Sequence, residues 1–328
     1  MQSGNQKLKI LYLMKILLED TDDTHSITMP EIISKLSTYG INAERKSLYD
    51  DIECLRAYGM DIIGEKEGKA YSYKIGTRQF ELAELKLLVD SVQSAKFITE
   101  KKSNQLIKKI EGLASRYEAS KLQRQVYTME RVKTQNESIF YNVDQIHDAI
   151  ASNTKITFQY FNWDANKKQV LRKDGALYKV SPWALSWDDE NYYMVAFDDV
   201  DKKIKHYRVD KMLRIGTTNE KREGSRHFHA FDMGAYAKKM FGMFAGEEET
   251  VKILCKNELA GVMIDRFGKD VAMVKVDDKT FYVNVKVAVS GQFLGWVMAL
   301  GDGAKIIGPE RVVQKVREEI ARLVSQYE

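Results

Sequence analysis

The chain has 328 residues, of which 44% are hydrophobic and 30% are charged, and its formal net charge at pH 7 is +4. These values are typical of a soluble protein of two or three domains. No run of about 18 apolar residues could cross a membrane and no signal-peptide pattern is present, so we expect a cytoplasmic protein. The mild positive charge permits nucleic-acid binding without arguing for it.

The two cysteines give no sign of a disulfide framework or a thiolate metal site. Cys54 lies in an apolar helical pattern and Cys255 in an apolar strand pattern. We therefore predict that both are core residues, and we expect no cofactor bound through sulfur or otherwise.

The N-terminal segment predicts three short helices followed by a β-hairpin. Thr28 is placed to cap the second helix, and Asn42 and Gly59 are placed to begin and end the third. The stretch "DIIGEKEGKAYSYKIG" alternates, turns and alternates again. This order predicts a winged helix-turn-helix over residues 1–76.

A winged helix usually contacts DNA through its third helix and its hairpin tip. The candidate DNA-binding residues at these places are Arg45, Lys46, Ser47, Tyr49, Asp50, Lys66 and Lys69. Residues 1–76 hold ten Lys and Arg against twelve Asp and Glu, so the basic excess of a non-specific binder is missing. A small domain that only packs is the alternative, but the local arrangement favours binding to double-stranded DNA.

Residues 77–141 predict a helical linker. The stretches "QFELAELKLLVDSVQSAKFI" and "SNQLIKKIEGLASRYEAS" carry apolar residues at three-to-four spacing. Twelve Lys and Arg face eight Asp and Glu between Thr77 and Val143. The segment could be a rigid arm, a dimer surface or only a solvated linking bundle.

Residues 142–222 predict a small barrel or curled sheet built from several short strands. Within the hairpin "ENYYMVAFDDVDKKIKHYRVDKM", His206 and Arg208 share a strand face, although charged residues seldom lie inside unless they are paired. These two residues either bind a ligand or support the fold. In the second case Arg208 would pair with a carboxylate such as Asp210, and the ring nitrogens of His206 would have hydrogen-bond partners within the fold.

The remaining chain predicts a connector and a final domain. Residues 223–249 contain His227 and His229 as an H-x-H pair without a third ligand at useful spacing, so no metal is expected. Residues 250–328 predict the order β-α-β-β-α-β, which is ferredoxin-like and by itself names no function. The predicted fold class is therefore α+β and multidomain.

In this order the pieces resemble the WYL-domain transcriptional regulators of bacteria, which combine a winged helix-turn-helix, a helical linker, a WYL domain and a C-terminal extension. The resemblance covers essentially the whole chain and rests on "ERKSLYDDIECLRAYG", "ITFQY", "SPWAL", "NYYMVAF" and "HYRVDKM". Two departures are visible. Tyr192, Tyr193 and Met194 replace the Trp-Tyr-Leu signature, and Asp50 stands where related third helices often carry arginine.

The resemblance implies an Sm-like β-barrel that senses a ligand, in several members a nucleic acid or nucleotide, through basic and aromatic residues. A guanidinium can grip phosphate through two hydrogen bonds, and an aromatic ring can stack on a base. The matching positions, and hence the candidate ligand-binding residues, are Tyr160, Trp183, Tyr193, His206 and Arg208. Asp210 is expected to orient a neighbour.

The expected function is that of a ligand-responsive regulator that binds operator DNA, and not that of an enzyme, because no nucleophile elbow, P-loop or paired metal motif is found. The expected partners are a palindromic operator, a nucleotide or nucleic-acid ligand and a second copy in a homodimer, without a membrane. The linker helices and the final domain are the candidate dimer surfaces. The alternative function is a non-enzymatic adaptor or nucleic-acid-binding protein that acts through its C-terminal domains.

Overall fold

The structure is a computed structural model that describes residues 2–67, 70–122, 133–134, 136–188, 190–228, 239–243 and 246–328. The chain divides into two compact units, Met1–Gln135 and Asn136–Glu328. Within the described ranges, no helix combines the length and the apolar character that a membrane span requires.

The first unit begins with three helices and a hairpin, in the predicted order. The helices are α1 (Gln2–Asp20), α2 (Met29–Thr38) and α3 (Arg45–Tyr58), and the strands are β1 (Ile27–Thr28), β2 (Ile62–Glu67) and β3 (Ala70–Ile75). The strands are antiparallel in the order β1-β3-β2. Leu13, Ile32, Leu48 and Ile52 are buried in one core shared by these elements. The name winged helix-turn-helix stays an assignment made from the sequence.

The ends of the helices follow the predicted caps in part. The Glu31 carboxylate accepts a hydrogen bond of 2.7 Å from the Thr28 backbone, and Gly59 ends α3 with a φ of 109°. The prediction that Asn42 caps α3 is wrong, because the N-cap residue of the helix is Glu44. With this start, Leu48 is the first residue of α3 that is buried in the core. Glu44 supplies no side-chain cap, so packing and not capping fixes this start.

The two cysteines differ in their surroundings. Cys255 is buried, as predicted, and burial raises the pKa of its thiol to about 11. The core prediction for Cys54 is wrong, because this residue is exposed. It follows the buried Leu48 by six residues, which places it about 240° around the helix and away from the core.

Three further helices complete the first unit, namely α4 (Leu82–Ser94), α5 (Glu100–Glu111) and α6 (Arg116–Leu122). They are joined to the first three helices by the turn after α1. The carboxylate of the buried Asp22 accepts a 2.7 Å hydrogen bond from Ser115, and the rings of His25 and Tyr117 stack at 3.7 Å. The hairpin core and the linker helices are therefore tied together within this unit.

The second unit opens with α7 (Ile139–Ala151) and a six-stranded sheet. The strands are β4 (Thr154–Trp163), β5 (Gln169–Leu171), β6 (Tyr178–Asp188), β7 (Asn191–Asp198), β8 (Lys203–Arg208) and β9 (Met212–Lys221). The order is β5-β4-β6-β7-β8, and β9 also pairs with β4. Because β4 pairs with three strands along its length, the sheet curls around the aromatic side chains of Phe158, Tyr160, Tyr178 and Tyr207. The predicted curled sheet is present, and the name Sm-like barrel stays an assignment.

The C-terminal part has the predicted β-α-β-β-α-β order followed by a last helix. Its elements are β10 (Glu247–Lys256), α8 (Ala260–Phe267), β11 (Met273–Lys275), β12 (Thr280–Val289), α9 (Gly291–Ala299), β13 (Ala304–Gly308) and α10 (Glu310–Tyr327). The antiparallel sheet has the order β11-β12-β10-β13. Val251, Val283 and Phe293 are buried at the centre of its core.

Candidate functional site

Arg208 ends β8 and holds a carboxylate through two hydrogen bonds. Its Nε and Nη2 donate to the two carboxylate oxygens of Asp210 at 3.0 and 2.9 Å, and Nη2 also donates to Asn191 Oδ1 at 2.9 Å. Burial opposes the charge of Arg208, but the pairing with Asp210 raises its pKa. The Arg208 side chain is still 34% exposed, so part of it faces solvent. The pairing foreseen as the structural alternative is present.

Tyr160 lies directly beneath Arg208. Its hydroxyl accepts a 3.1 Å hydrogen bond from the Arg208 backbone N–H, and burial raises the pKa of Tyr160 to about 12. The ring is 8% exposed and contacts Phe158 and Tyr207 in the aromatic centre. The ring is placed to support Arg208, and the predicted role of Tyr160 in ligand binding stays a prediction.

Arg172 and Lys211 extend the positive charge around Arg208. Burial and then the charge of Arg208 lower the pKa of Lys211, and Arg172 lowers it further, whereas Asp210 acts in the opposite direction. Arg172 also lies over the Tyr160 ring, with its Cζ 5.9 Å from the ring centre. We refer to Arg172, Arg208 and Lys211 as the cationic site. Reasoning from the sequence missed two of its three members.

The turn that carries Arg172 is held in an uncommon conformation. Lys173 and Asp174 have φ values of 51° and 53° in the left-handed region, which costs about 1–3 kcal/mol for each non-glycine residue. Gln159 Nε2 donates to the Gly175 carbonyl at 2.5 Å and fixes the turn against β4. Lys173 Nζ lies 4.3 Å from the centre of the Tyr178 ring, which belongs to the buried aromatic group of the sheet. The turn thus holds two basic residues beside the aromatic centre.

The ring of Trp183 is in contact with two neighbouring side chains. The Arg222 guanidinium lies 4.1 Å from the centre of its indole ring, and Phe228 stacks on it at 4.8 Å with an interplanar angle of 11°. The indole Nε1 donates to the Glu223 carbonyl at 2.9 Å. The predicted role of Trp183 in ligand binding stays a prediction.

Tyr193 and His206 connect the curled sheet to the C-terminal part of the same unit. Tyr193 packs against Met240, Met243 and Ala288 and lies opposite Arg208 in the register of β7 and β8. His206 hydrogen-bonds the Met243 backbone, and burial lowers its pKa. Of the five predicted ligand residues, Tyr160 and Tyr193 border Arg208, whereas His206 faces the C-terminal part.

The start of α3 presents four of the five predicted DNA-binding residues of this helix to solvent. Arg45, Lys46, Tyr49 and Asp50 are exposed, and Arg45 Nε donates to the Tyr49 hydroxyl at 2.7 Å. The fifth, Ser47, turns towards α1, where its hydroxyl accepts a hydrogen bond from Lys9 Nζ.

At the hairpin, Lys66 is exposed on β2, and Lys69 lies outside the described residues. The H-x-H pair is divided in the same way, because His227 is described and His229 is not. Across the ranges that the structure covers, no three His, Cys, Asp or Glu side chains are grouped to hold a metal ion.

Two family models match the second unit. A WYL domain matches residues 141–216 and a WCX domain matches residues 247–324. The chain therefore contains a WYL domain followed by a WCX domain. The resemblance stated from the sequence is confirmed for these two domains, and the cationic site lies entirely within the WYL domain.

One solved structure that is similar to this WYL-domain protein is proteasome accessory factor B/C (PafBC) of Arthrobacter aurescens. The identity is 16%, the alignment covers 98% of this chain and 49% of that chain, and the TM-score is 0.28. The chain thus spans about half the length of that structure. Among the curated proteins, no match to the sequence is found.

Two asparagines hold the turn of the WYL domain that carries Asp210 and Lys211. Asn136 Nδ2 donates to the Asp210 carbonyl at 2.8 Å. Asn142 Nδ2, which is buried, donates to the carbonyls of Val209 and Met212 at 3.3 and 3.0 Å. These bonds connect the cationic site to the first residues of the second unit.

We expect the second unit to lose stability in mild acid through His206. Because burial lowers its pKa in the folded protein below the ordinary value of 6.5, the unfolded chain takes up the proton first as the pH falls. The stability that neutral His206 provides is complete above pH 6.5 and is lost as the pH falls towards the folded-state pKa. Urea denaturation at about pH 7.5 and about pH 5.5 measures the loss.

The variant His206→Gln should lose less stability over this pH interval than the unchanged protein. His147→Gln is the matched control, because His147 is exposed on α7. An equal loss in the unchanged protein and in His206→Gln would contradict the prediction.

Proposed function

We propose that this WYL-domain protein is a transcriptional regulator, and not an enzyme, that binds operator DNA through residues 1–76 and responds to a phosphate-bearing nucleotide or nucleic-acid ligand. The observation that carries the proposal is the cationic site. Arg208 and Arg172 both contact Tyr160, and Lys211 directly follows Asp210, the carboxylate that Arg208 holds. A group of cations that includes the half-buried Arg208 attracts an anion with several oxygens, and a guanidinium offers it two hydrogen bonds.

The DNA-binding part of the proposal rests on α3 and the hairpin. Arg45 and Lys46 are exposed in the first turn of α3, and Lys66 is exposed on β2. These positions are where a winged helix places phosphate and base contacts. We further propose that the protein acts as a homodimer, because one winged helix reads only a few base pairs and a two-fold pair matches a palindromic operator.

The response to ligand would begin at Asp210. A phosphate that binds Arg208 competes with Asp210 for the same donors, and the turn of Asp210 is tied to Asn136. On the other side of Gln135, the Thr134 N–H donates to the Lys96 carbonyl at 2.8 Å, and Lys133 Nζ donates to Ser103 at 2.9 Å.

The chain is thus anchored to the ligand site after Gln135 and to the helices α4 and α5 before it. Coupling requires two arrangements with different affinity for the ligand. This anchoring supports the helical linker as the element that differs between them.

The experiment that tests DNA binding replaces one exposed lysine of α3. Lys46→Ala should weaken binding of the full chain to every duplex by a similar factor, because a phosphate contact carries no sequence information. The slope of log K against log salt should fall by about 1. Binding to a randomised duplex library at several salt concentrations measures both quantities.

Lys86→Ala is the matched control, because it removes one exposed lysine from α4, outside residues 1–76. Equal effects of Lys46→Ala and Lys86→Ala would exclude α3 as the contact. Tyr49→Ala should instead change the selected sequence, since a base-edge contact discriminates by about 1–3 kcal/mol.

A further inference from the structure

The sheet of the WCX domain buries one face and leaves most of the other accessible. Odd-numbered residues of β10 and β12, such as Val251 and Val283, are buried in the core that includes residues of α8, α9 and α10. Even-numbered residues lie on the opposite face, because side chains alternate along a strand. We call the following residues of that side the open face: Thr250, Lys252, Leu254, Val274, Tyr282, Asn284, Lys286, Lys305 and Ile307.

One row of the open face crosses all four strands. Val274 pairs with Tyr282, Tyr282 with Leu254, and Leu254 with Lys305 in the registers of the sheet. Neighbouring strands lie about 4.8 Å apart, so the row is roughly 14 Å long. An aromatic ring therefore stands in an apolar strip that ends at a lysine.

The lysines of the open face are only partly neutralised. Lys286 pairs with Glu248 at 3.1 Å. Lys252 Nζ lies 3.7 Å from the centre of the Tyr282 ring. In the part of the chain that the structure describes, neither Lys252 nor Lys305 has a carboxylate at ion-pair distance. A cation held by a ring face at an exposed site is bound by only about 0.5–1 kcal/mol, so an anion can take Lys252 from it.

We propose that the open face of the WCX domain binds single-stranded nucleic acid. A base stacks on Tyr282 and against Leu254. The Lys252 ammonium leaves the Tyr282 ring and binds a phosphate, and Lys305 and Lys286 bind neighbouring phosphates. A sheet with an aromatic platform on a central strand, bordered by basic residues, is a general way to bind single strands. This site uses none of the residues of the cationic site and goes beyond the function proposed above.

The chemistry of the open face favours a nucleic acid over an acidic peptide. An acidic peptide needs only the lysines, whereas the half-buried Tyr282 and the exposed Val274 offer a flat, apolar surface that bases fill. Stacking on one aromatic residue contributes about 1–3 kcal/mol per base, which corresponds to about 5- to 150-fold in affinity.

Fluorescence anisotropy with a labelled single-stranded oligo-dT of about 12 nucleotides tests the proposal on the full chain. Lys252→Gln/Lys305→Gln should weaken binding at least about tenfold and lower the salt slope by about 1.4, because two phosphate contacts are lost. Lys269→Gln/Lys279→Gln removes the same charge from exposed positions off the open face and should leave the affinity unchanged. Tyr282→Leu should weaken binding about 5- to 150-fold, because the stacking ring is lost. Tyr282→Phe keeps the ring and should bind the oligonucleotide as tightly as the unchanged protein.

Each measurement is repeated with Arg172→Gln/Lys211→Gln, because an oligonucleotide could also bind the cationic site. The loss caused by Lys252→Gln/Lys305→Gln must persist in that background, and such persistence separates this site from the one in the WYL domain. Equal affinities of the two lysine pairs would overturn the proposal. Competition by poly-glutamate as strong as by unlabelled oligo-dT would overturn it as well and would indicate an acidic protein partner.

Discussion

Replacing Arg172 and Lys211 together by glutamine is expected to weaken the binding of inorganic pyrophosphate to the WYL domain at least about a hundredfold. Each charge-assisted hydrogen bond to a phosphate oxygen contributes about 1.5–3 kcal/mol, and the variant removes two donors of such bonds. Isothermal titration calorimetry of the full chain with pyrophosphate measures the change. Pyrophosphate is a suitable probe because it offers the charge of a nucleotide without a base.

The same variant should keep its stability. Arg172 is exposed, and the lowered pKa of Lys211 shows that its charge is opposed by burial and by Arg208. Removing cations that repel one another costs little, so the free energy of unfolding should change by less than about 1 kcal/mol. Lys167→Gln/Lys168→Gln, in the exposed turn between β4 and β5, is the matched control for net charge. Equal pyrophosphate affinities of the two double variants would refute the cationic site.

Alternation within strands was enough to predict much of the fold. In "ITFQY" the residues Ile156, Phe158 and Tyr160 alternate with polar residues, which predicts one shared strand face, and all three are buried. Such a pattern can be seen in the sequence alone, because successive side chains of a strand point to opposite faces and the residue type indicates which face is buried. The order of helices and strands followed from the same reasoning, together with the left-handed Gly59 that ends α3.

Contacts between distant positions could not be predicted in this way. The hydroxyl of Ser47 is bound by Lys9, which precedes it by 38 residues, and this contact turns Ser47 away from the face on which Lys46 is exposed. Trp183 is a candidate through the family resemblance, but Arg222 and Phe228, which come much later in the chain, both pack on its ring. Which partner reaches such a residue is decided by the curl of the sheet.

Arg172 and Lys211 were missed because both lie in turns without periodicity. Asp174 before Gly175 indicates a turn, but nothing in the residue type of Lys173 indicates a left-handed backbone, which is most common for glycine. The conformation that brings Arg172 over the Tyr160 ring is stabilised by the contact of Gly175 with Gln159. Arg208 itself was found because a charged residue in a half-buried strand is unusual enough to require a partner.

Arg208→Ala is expected to lower the free energy of unfolding by about 2 kcal/mol. The change leaves Asp210, which is 15% exposed, without its two donors, and Asn191 loses a donor as well. Loss of one member of a buried pair costs about 3–5 kcal/mol, and the partial exposure of Arg208 reduces the effect. Urea denaturation measures it, and the same variant should no longer bind pyrophosphate.

The double variant Arg208→Ala/Asp210→Ala separates the structural role of Arg208 from its role in ligand binding. Removing both partners leaves no stranded charge, so most of the lost stability should return, to within about 1 kcal/mol of the unchanged protein. Pyrophosphate binding should stay lost, because Asp210 contributes nothing to an anion site except the neutralisation of Arg208. If the double variant regained both stability and pyrophosphate binding, Arg208 would be a structural residue, and Arg172 and Lys211 alone would hold the anion. If it regained neither, the turn of Asp210 would depend on the ion pair itself, and the bonds from Asn136 and Asn142 would be too weak to hold that turn in place.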